Sequence, residues 1–190
     1  MFCVTSRAME REWRLASSFM KIPKLPAIVW MACVIAFVAS VLFLAPGLPD
    51  RVATHFGFSG RANGWMPRST YTLFFIVFGI FFSSFVIGIS YGVRFFSSSC
   101  LNVPNPDYWR SPEHYPEACD FLFRQAFWFG ALSTVWAGLL NAFLVNANRL
   151  SPPVLDSRAL AVLTVAFLAG TFAWVLSLLR HFRNPPRGAT

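Results

Sequence analysis

The chain alternates between four long apolar runs and shorter polar connections. The runs contain no charged residue, and they cover residues 27–45, 71–93, 126–145 and 159–179. A helix needs about 20 apolar residues to cross a hydrocarbon layer about 30 Å thick, because each residue adds about 1.5 Å. The pattern therefore predicts transmembrane spans over about residues 27–45, 71–93, 121–145 and 159–179, with the third helix itself beginning earlier, near Pro116.

The connections between the runs divide the chain into three parts. A basic segment over residues 1–26 precedes a transmembrane domain over residues 27–182, and a short tail over residues 183–190 follows. The 46–70 loop is rich in turn-forming residues, and the 101–113 loop is rich in proline. We therefore expect an all-α membrane protein, a bundle of four transmembrane helices with an ordered outer loop and a Pro-rich inner loop.

Composition and charge favour the membrane and indicate an orientation in it. Only 13% of the residues are charged, whereas a soluble domain has about 25%. The net charge of +8 lies on no soluble element and accompanies no nucleic-acid motif, so the expected partner is the lipid bilayer and not nucleic acid. Lys and Arg concentrate in the N-terminal segment, the loop between the second and third spans, and the tail. The positive-inside rule then predicts a multi-pass protein of the inner (plasma) membrane with both termini cytoplasmic and the 46–70 loop outside.

The N-terminal part of the chain allows two further interpretations. The first apolar run could be a cleaved signal peptide, but it exceeds the usual apolar length of about 7–15 residues, which favours an uncleaved helix. Upstream of it, Met9, Trp13, Ala16 and Met20 recur at helical spacing among arginines. This spacing fits either a helix lying in the inner interface or a basic tail without structure.

Cysteine usage agrees with this orientation. Cys3, Cys100 and Cys119 fall on the predicted cytoplasmic side, where thiols stay reduced, and Cys33 lies within the first span. There is no pair of cysteines at CxxC spacing. We predict no disulfide, no metal site and no cofactor.

Two stripes of small residues predict how the helices pack. Small side chains let helices approach closely in lipid, where there is no hydrophobic drive between helices. The second span has one stripe and the third has another, each at four-residue steps: Ser84, Gly88 and Gly92, and then Gly130, Thr134 and Gly138. We expect the two stripes to meet, or one of them to mediate self-association.

The spans lack the groups that coupled transport and catalysis need. Proton- and ion-coupled transporters keep ionisable side chains at mid-depth, and these spans have none there. Asn141 is the most polar residue well inside a span, and a helix–helix hydrogen bond is its expected role. His55 lies on the predicted outer side and His114 and His181 on the inner side, so His55 cannot share a metal or a catalytic dyad with them. No hydrolase or phosphate-binding motif occurs, and we expect no enzyme activity.

The outer loop combines an extended piece with two turn signals. Residues 52–56 favour a strand, and Ser59-Gly60 and Asn63-Gly64 favour turns. So many turns in one loop predict an ordered segment packed on the helix ends, with His55 half-buried. His55 then either makes a structural hydrogen bond in the loop or contacts a ligand.

The inner loop is rich in proline and in turn-capping side chains. Ser111-Pro112-Glu113 resembles a helix start. Tyr108 and Trp109, like Trp65 on the other side, have the amphipathic rings typical of the membrane interface. The loop is either a structured connector held there or a partner-binding segment.

These two loops resemble the signature of a bacterial membrane family known only as a domain of unknown function, number 1648, which is related to the SdpI immunity and signalling proteins. The outer-loop positions that carry the resemblance are Leu48, Pro49, His55, Phe56, Gly60, Asn63, Gly64 and Trp65. An Asn-x-Pro-Asn-x-x-Tyr-Trp segment is matched by Asn102, Pro104, Asn105, Tyr108 and Trp109. The resemblance covers roughly residues 27–145. Asn63 stands where the family often has Asp, which weakens any expectation of cation binding there.

The sequence favours a non-enzymatic sensor, immunity or partner-binding protein that uses both loops. The ligand or partner loop would present His55, Phe56, Gly60, Asn63 and Trp65, and the inner loop would present Asn102, Pro104, Asn105, Asp107, Tyr108 and Trp109. A protein or peptide partner is expected in this case. The alternative is a small uncoupled transporter or channel component that acts as a homo-oligomer, because four helices are few for a pore.

Overall fold

The computed structural model of the protein describes residues 22–186 and consists mainly of four long helices. The predicted interfacial helix around Met9, Trp13, Ala16 and Met20 lies outside these residues. In chain order the elements are α1 (Lys24–Leu44), β1 (Arg51–Phe56), β2 (Ala62–Pro67), α2 (Arg68–Gly92), the short α3 (Pro106–Trp109), α4 (Tyr115–Asn148) and α5 (Ser157–Arg183). Short 3-10 turns follow α1 and α2.

The four long helices confirm the predicted all-α membrane bundle. α1, α2, α4 and α5 are each long and apolar enough to cross a membrane. They extend beyond the apolar runs, and α4 reaches 34 residues, or about 51 Å at about 1.5 Å per residue. It begins at Tyr115, so the helix start expected near Pro116 is confirmed, whereas Ser111-Pro112-Glu113 lies in turns before it.

Helix α4 is the centre of the bundle and packs against each of the other long helices. Its buried positions include Phe127 against α1, Ala137 in the main core, and Asn141 beside α2. Helix α5 packs mainly on α4, and Phe182 is its one buried residue among those described. The main core lies toward the hairpin end and unites α1, α2 and α4 with β1.

The predicted meeting of the two small-residue stripes is wrong for α2. Added side-chain atoms at Gly88 and Gly92 would meet nothing within 4 Å, so this stripe faces outward. Its third member, Ser84, is half-buried. The close approach on α2 occurs instead at Gly79, where an added Cβ would collide with the ring of Phe37. Four-residue spacing places these residues on one face of the helix, but the sequence does not say which helix, if any, packs against that face.

The stripe on α4 does lie at helix contacts. Gly130 and Thr134 are buried, and a Cβ at Gly130 would lie 3.1 Å from Trp30 and 3.2 Å from Ile87. At Gly138 the nearest atom would belong to Phe37, at 3.5 Å. The α4 stripe thus receives large side chains from α1 and α2 rather than a second stripe.

Asn141 makes the expected hydrogen bond between helices. The Tyr71 hydroxyl donates to Asn141 Oδ1 at 2.8 Å, and both side chains are almost completely buried. This bond joins the first turn of α2 to α4 inside the main core. Water cannot reach either side chain there, and the hydrogen bond compensates for this loss of hydration.

We predict opposite outcomes for the same substitution at two glycines of α2. Gly79→Leu should lower the free energy of unfolding by about 1–3 kcal/mol or more, because the added side chain would overlap the ring of Phe37, which is buried in the main core and would have to shift. Gly88→Leu is the matched control and should leave it nearly unchanged, since its surroundings are open. Unfolding in mixed detergent micelles measures both. An equal or larger loss at Gly88 would contradict this assignment of the two faces.

Candidate functional site

The outer loop forms a two-stranded antiparallel hairpin on the ends of the helices. β1 and β2 pair from Arg51 with Pro67 to Phe56 with Ala62. A turn joins them, in which the Gly60 amide donates to Gly57 O at 2.9 Å. Gly60 has a φ of 76°, a backbone conformation that glycine adopts without steric cost. The Leu155 amide donates to Gly60 O at 2.8 Å, which ties the turn to the connection between α4 and α5.

One of the two predicted turns is wrong. Asn63-Gly64 lies inside β2, where Gly64 pairs with His55. A Cβ at Gly64 would lie 3.0 Å from His55 Cβ, so the glycine here serves a close side-chain approach. The pairing is irregular on both sides of His55, and such bulges redirect side chains.

The side-chain amide of Asn148 fastens the hairpin to the end of α4. Its Oδ1 accepts from the Ala53 amide at 2.7 Å, and its Nδ2 donates to Ala53 O at 2.9 Å. Nδ2 also donates to Leu144 O at 2.9 Å. Ala53 is fully buried, so these bonds satisfy backbone groups that water cannot reach. The pattern of the sequence does not predict this role of Asn148, and its polarity at the end of an apolar helix is the one signal for it.

Arg68 secures the other side of the hairpin, at the start of α2. Its guanidinium donates to Leu48 O at 3.0 Å and forms an ion pair with Asp50 at 3.0 Å. The Arg68 amide also donates to Asp50 O at 2.9 Å. The two strand ends are therefore held together where the chain enters and leaves the hairpin.

The predicted outer-loop residues separate into an inner and an outer set. Gly60 is buried, and Phe56 is half-buried and packs against the main core. His55, Asn63 and Trp65 are exposed, so the expectation of a half-buried His55 is wrong. Among the described residues, the ring of His55 has one neighbour at hydrogen-bonding distance, Thr54 Oγ1 at 3.3 Å.

At the opposite end, the inner loop is fixed to the last turn of α5. Trp109 is fully buried, and its Nε1 donates to Phe182 O at 2.9 Å. Asn105 Nδ2 donates to the same carbonyl at 3.0 Å and to Arg183 O at 3.1 Å. Asn105 has a φ of 54°, which asparagine tolerates better than most residues. These bonds satisfy carbonyls that the end of a helix leaves without partners.

The expected interfacial position of Trp109 is wrong, because the indole lies inside a small core with Phe121 and Phe182. Tyr108 is half-buried and stacks on His114 with ring centroids 3.8 Å apart. Burial and then the Glu117 carboxylate raise the pKa of the Tyr108 phenol above its usual value. The remaining inner-loop residues make no such anchor: Asn102 and Asp107 are exposed and Pro104 is half-buried.

The inner end also contains a buried arginine and a cleft that the sequence analysis did not identify. Arg94 lies over the rings of Tyr91 and Phe123, and its Nη2 is 3.8 Å from Asp120 Oδ1. A cleft of about 480 Å³ opens beside Asp120, between the first turns of α4 and His181 of α5. Within residues 22–186, no group of three or more His, Cys, Asp or Glu side chains is placed to hold a metal ion.

We predict that Asn148→Ala loosens the hairpin. Loss of the amide leaves the N–H and C=O of buried Ala53 without partners, at a cost of about 1–3 kcal/mol for each group. Trypsin cleavage after Arg51 and Arg61 should become about tenfold faster or more. Asn146→Ala is the matched control, because Asn146 is exposed two residues earlier on the same helix. Equal cleavage rates in the two variants would show that Asn148 does not hold the hairpin.

Comparison with known proteins gives a family match for the segment that contains the hairpin. Residues 31–81 match the family described as Domain of unknown function (DUF1648). This segment runs from α1 through the hairpin into α2, and it includes all eight outer-loop positions of the resemblance but stops before the inner loop. No curated protein and no solved structure matches the chain. The hairpin and the adjoining parts of α1 and α2 are thus similar to DUF1648.

Proposed function

We propose that the protein is a non-enzymatic membrane protein that binds a protein or peptide partner through the hairpin, in a sensor or immunity role. The observation that carries this proposal is the hairpin itself, held by Asn148 with His55 and Trp65 exposed. A segment fixed before binding loses less conformational entropy when a partner docks, which favours recognition. Exposed aromatic rings supply much of the affinity in many interfaces.

The inner loop would be the second half of this function. Asn105 and Trp109 attach it to the end of α5, and α4 runs from this end to the hairpin. A partner that shifts the hairpin would act on Asn148, and through α4 on the cleft beside Asp120. The exposed Asp107 and Asn102 would be available to a partner on that side.

We infer that the hairpin faces outward from the inner (plasma) membrane of a bacterium and that both termini are cytoplasmic. The distribution of Lys and Arg supports this orientation. The immunity role rests on the resemblance of the two loops to a family related to the SdpI proteins, and the similarity of residues 31–81 to DUF1648 agrees with the family part of that resemblance. The absence of catalytic motifs from the sequence supports a binding function over an enzymatic one.

Cysteine labelling tests the orientation. In intact cells, a chain with Ser59→Cys as its one cysteine should react with an impermeant thiol reagent, because Ser59 is exposed in the hairpin turn. A matched chain that keeps only the exposed native Cys100 should react after permeabilisation alone. The reverse result would place the hairpin in the cytoplasm and contradict an extracellular sensor.

Photo-cross-linking in cells tests partner binding. A photoreactive residue at position 65 should give a discrete cross-linked protein. His55→Ala should lower the yield of this product without changing the resistance of the hairpin to trypsin. The control carries the same residue at position 128, since Trp128 is exposed to a comparable extent on α4, outside the hairpin. No specific product at position 65, or the same products at both positions, would contradict the proposal.

A homo-oligomeric, uncoupled transporter or channel component is the second function that an observation favours. Gly88 and Gly92 leave open space along the outward face of α2, and such a face lets a second helix approach closely. Flux of small solutes into proteoliposomes would support this function, and a strict monomer in lipid nanodiscs would oppose it.

A further inference from the structure

The charges at the hairpin end of the molecule are unbalanced. This end carries two acids and five arginines: Asp50, Asp156, Arg51, Arg61, Arg68, Arg149 and Arg158. Both acids are already engaged. Asp50 pairs with Arg68, and Asp156 accepts from the Arg158 and Ala159 amides at the start of α5. Among the described residues, the guanidinium groups of Arg51 and Arg61 form no salt bridge, and both residues are exposed.

Two aromatic side chains of the hairpin are exposed, as Arg51 and Arg61 are. Phe58 lies in the turn between Phe56 and Ala62 and is completely exposed, and Trp65 on β2 is 47% exposed. Isolated exposed apolar residues are common, but two large rings among arginines on one short hairpin form a composition that is enriched at binding hot spots.

The direction of Trp65 favours a partner in the aqueous phase over the bilayer. Successive side chains of a strand point to opposite faces, and Met66 packs against the main core. Trp65 therefore points away from the helix ends. Asn148 and Leu155 hold the hairpin in this orientation through hydrogen bonds to Ala53 and Gly60.

From charge and direction together, we propose that Arg51, Phe58, Arg61 and Trp65 form a docking surface for an acidic polypeptide segment with apolar side chains between its carboxylates. Guanidinium groups bind carboxylates through paired hydrogen bonds, and the rings would accept the apolar side chains. Complementary charge would also exclude basic partners and accelerate encounter. This inference rests on the proposed function and specifies its partner.

Peptide binding to the full chain in phosphatidylcholine nanodiscs tests the docking surface. The probes are two short synthetic peptides with identical apolar residues, one with glutamates and one with lysines between them. The glutamate peptide should bind at least about tenfold more tightly at low salt, and the preference should shrink toward physiological ionic strength. Fluorescence anisotropy of the labelled peptides gives both affinities.

Variants locate the effect on the hairpin. The double variant Arg51→Gln/Arg61→Gln should lower the affinity for the glutamate peptide by about threefold to tenfold. Phe58→Ser should lower the affinity for both peptides. Arg158→Gln is the matched control, because it removes one charge at the same end but outside the hairpin, and should change the affinity by less than about twofold. Unchanged unfolding midpoints show that the variants remain folded.

Equal affinities for the two peptides, or an equal loss in the Arg158 variant, would overturn the acidic-partner inference. Binding of the hairpin rings only to vesicles of phosphatidylglycerol would also overturn it and make the surface a lipid contact. Cross-linking at position 65 that persists in the double arginine variant, together with equal peptide affinities, would overturn this inference and leave the proposed function intact. Absence of cross-linking at position 65 in the otherwise unchanged chain would overturn the proposed function instead.

Discussion

Backbone polar groups that water cannot reach must find partners within the chain, and this requirement governs both the helices and their ends. Along the spans, the hydrogen bonds of the helices supply these partners. Where a segment lies over a helix end, side chains supply them. Asn148 pairs with both backbone groups of Ala53 at one end, and Asn105 and Trp109 donate to carbonyls of the last turn of α5 at the other. Two segments that look like connecting loops are therefore fixed parts of the fold.

Helix α4 provides the frame on which these two ends are positioned. It is the longest helix, it contacts the other three, and it carries Asn141, Asn148 and Asp120 along its length. Helix α5 has little buried surface of its own, so its contacts with α4 and the inner loop determine its position. Helices α2 and α4 both extend from the hairpin to the inner end of the molecule.

The proposed function follows from the difference between the two faces of the hairpin, of which one packs against the main core and the other is exposed. Val52, Phe56 and Met66 face the main core, and they bind the hairpin to α1, α2 and α4. On the opposite side, the side chains of Trp65, Arg51 and Arg61 are exposed, and neither Arg51 nor Arg61 forms a salt bridge within the described chain. Strong attachment of one side and exposure of aromatic and basic groups on the other are typical of a rigid binding surface.

The sequence by itself determined the four helices and the two structured loops, because hydrocarbon thickness fixes the length of an apolar run and turn residues mark where it ends. It also identified the polar bond made by Asn141. Only the tertiary structure decided which glycine of α2 meets a neighbour, since Gly79 and Gly88 look alike until Phe37 is in place. It placed Gly64 in a strand opposite His55, buried Trp109, and paired Asn148 with Ala53. The contacts of Gly79, Trp109 and Asn148 depend on partners distant in the chain, about which local pattern contains no information, whereas the position of Gly64 depends on the register of the hairpin.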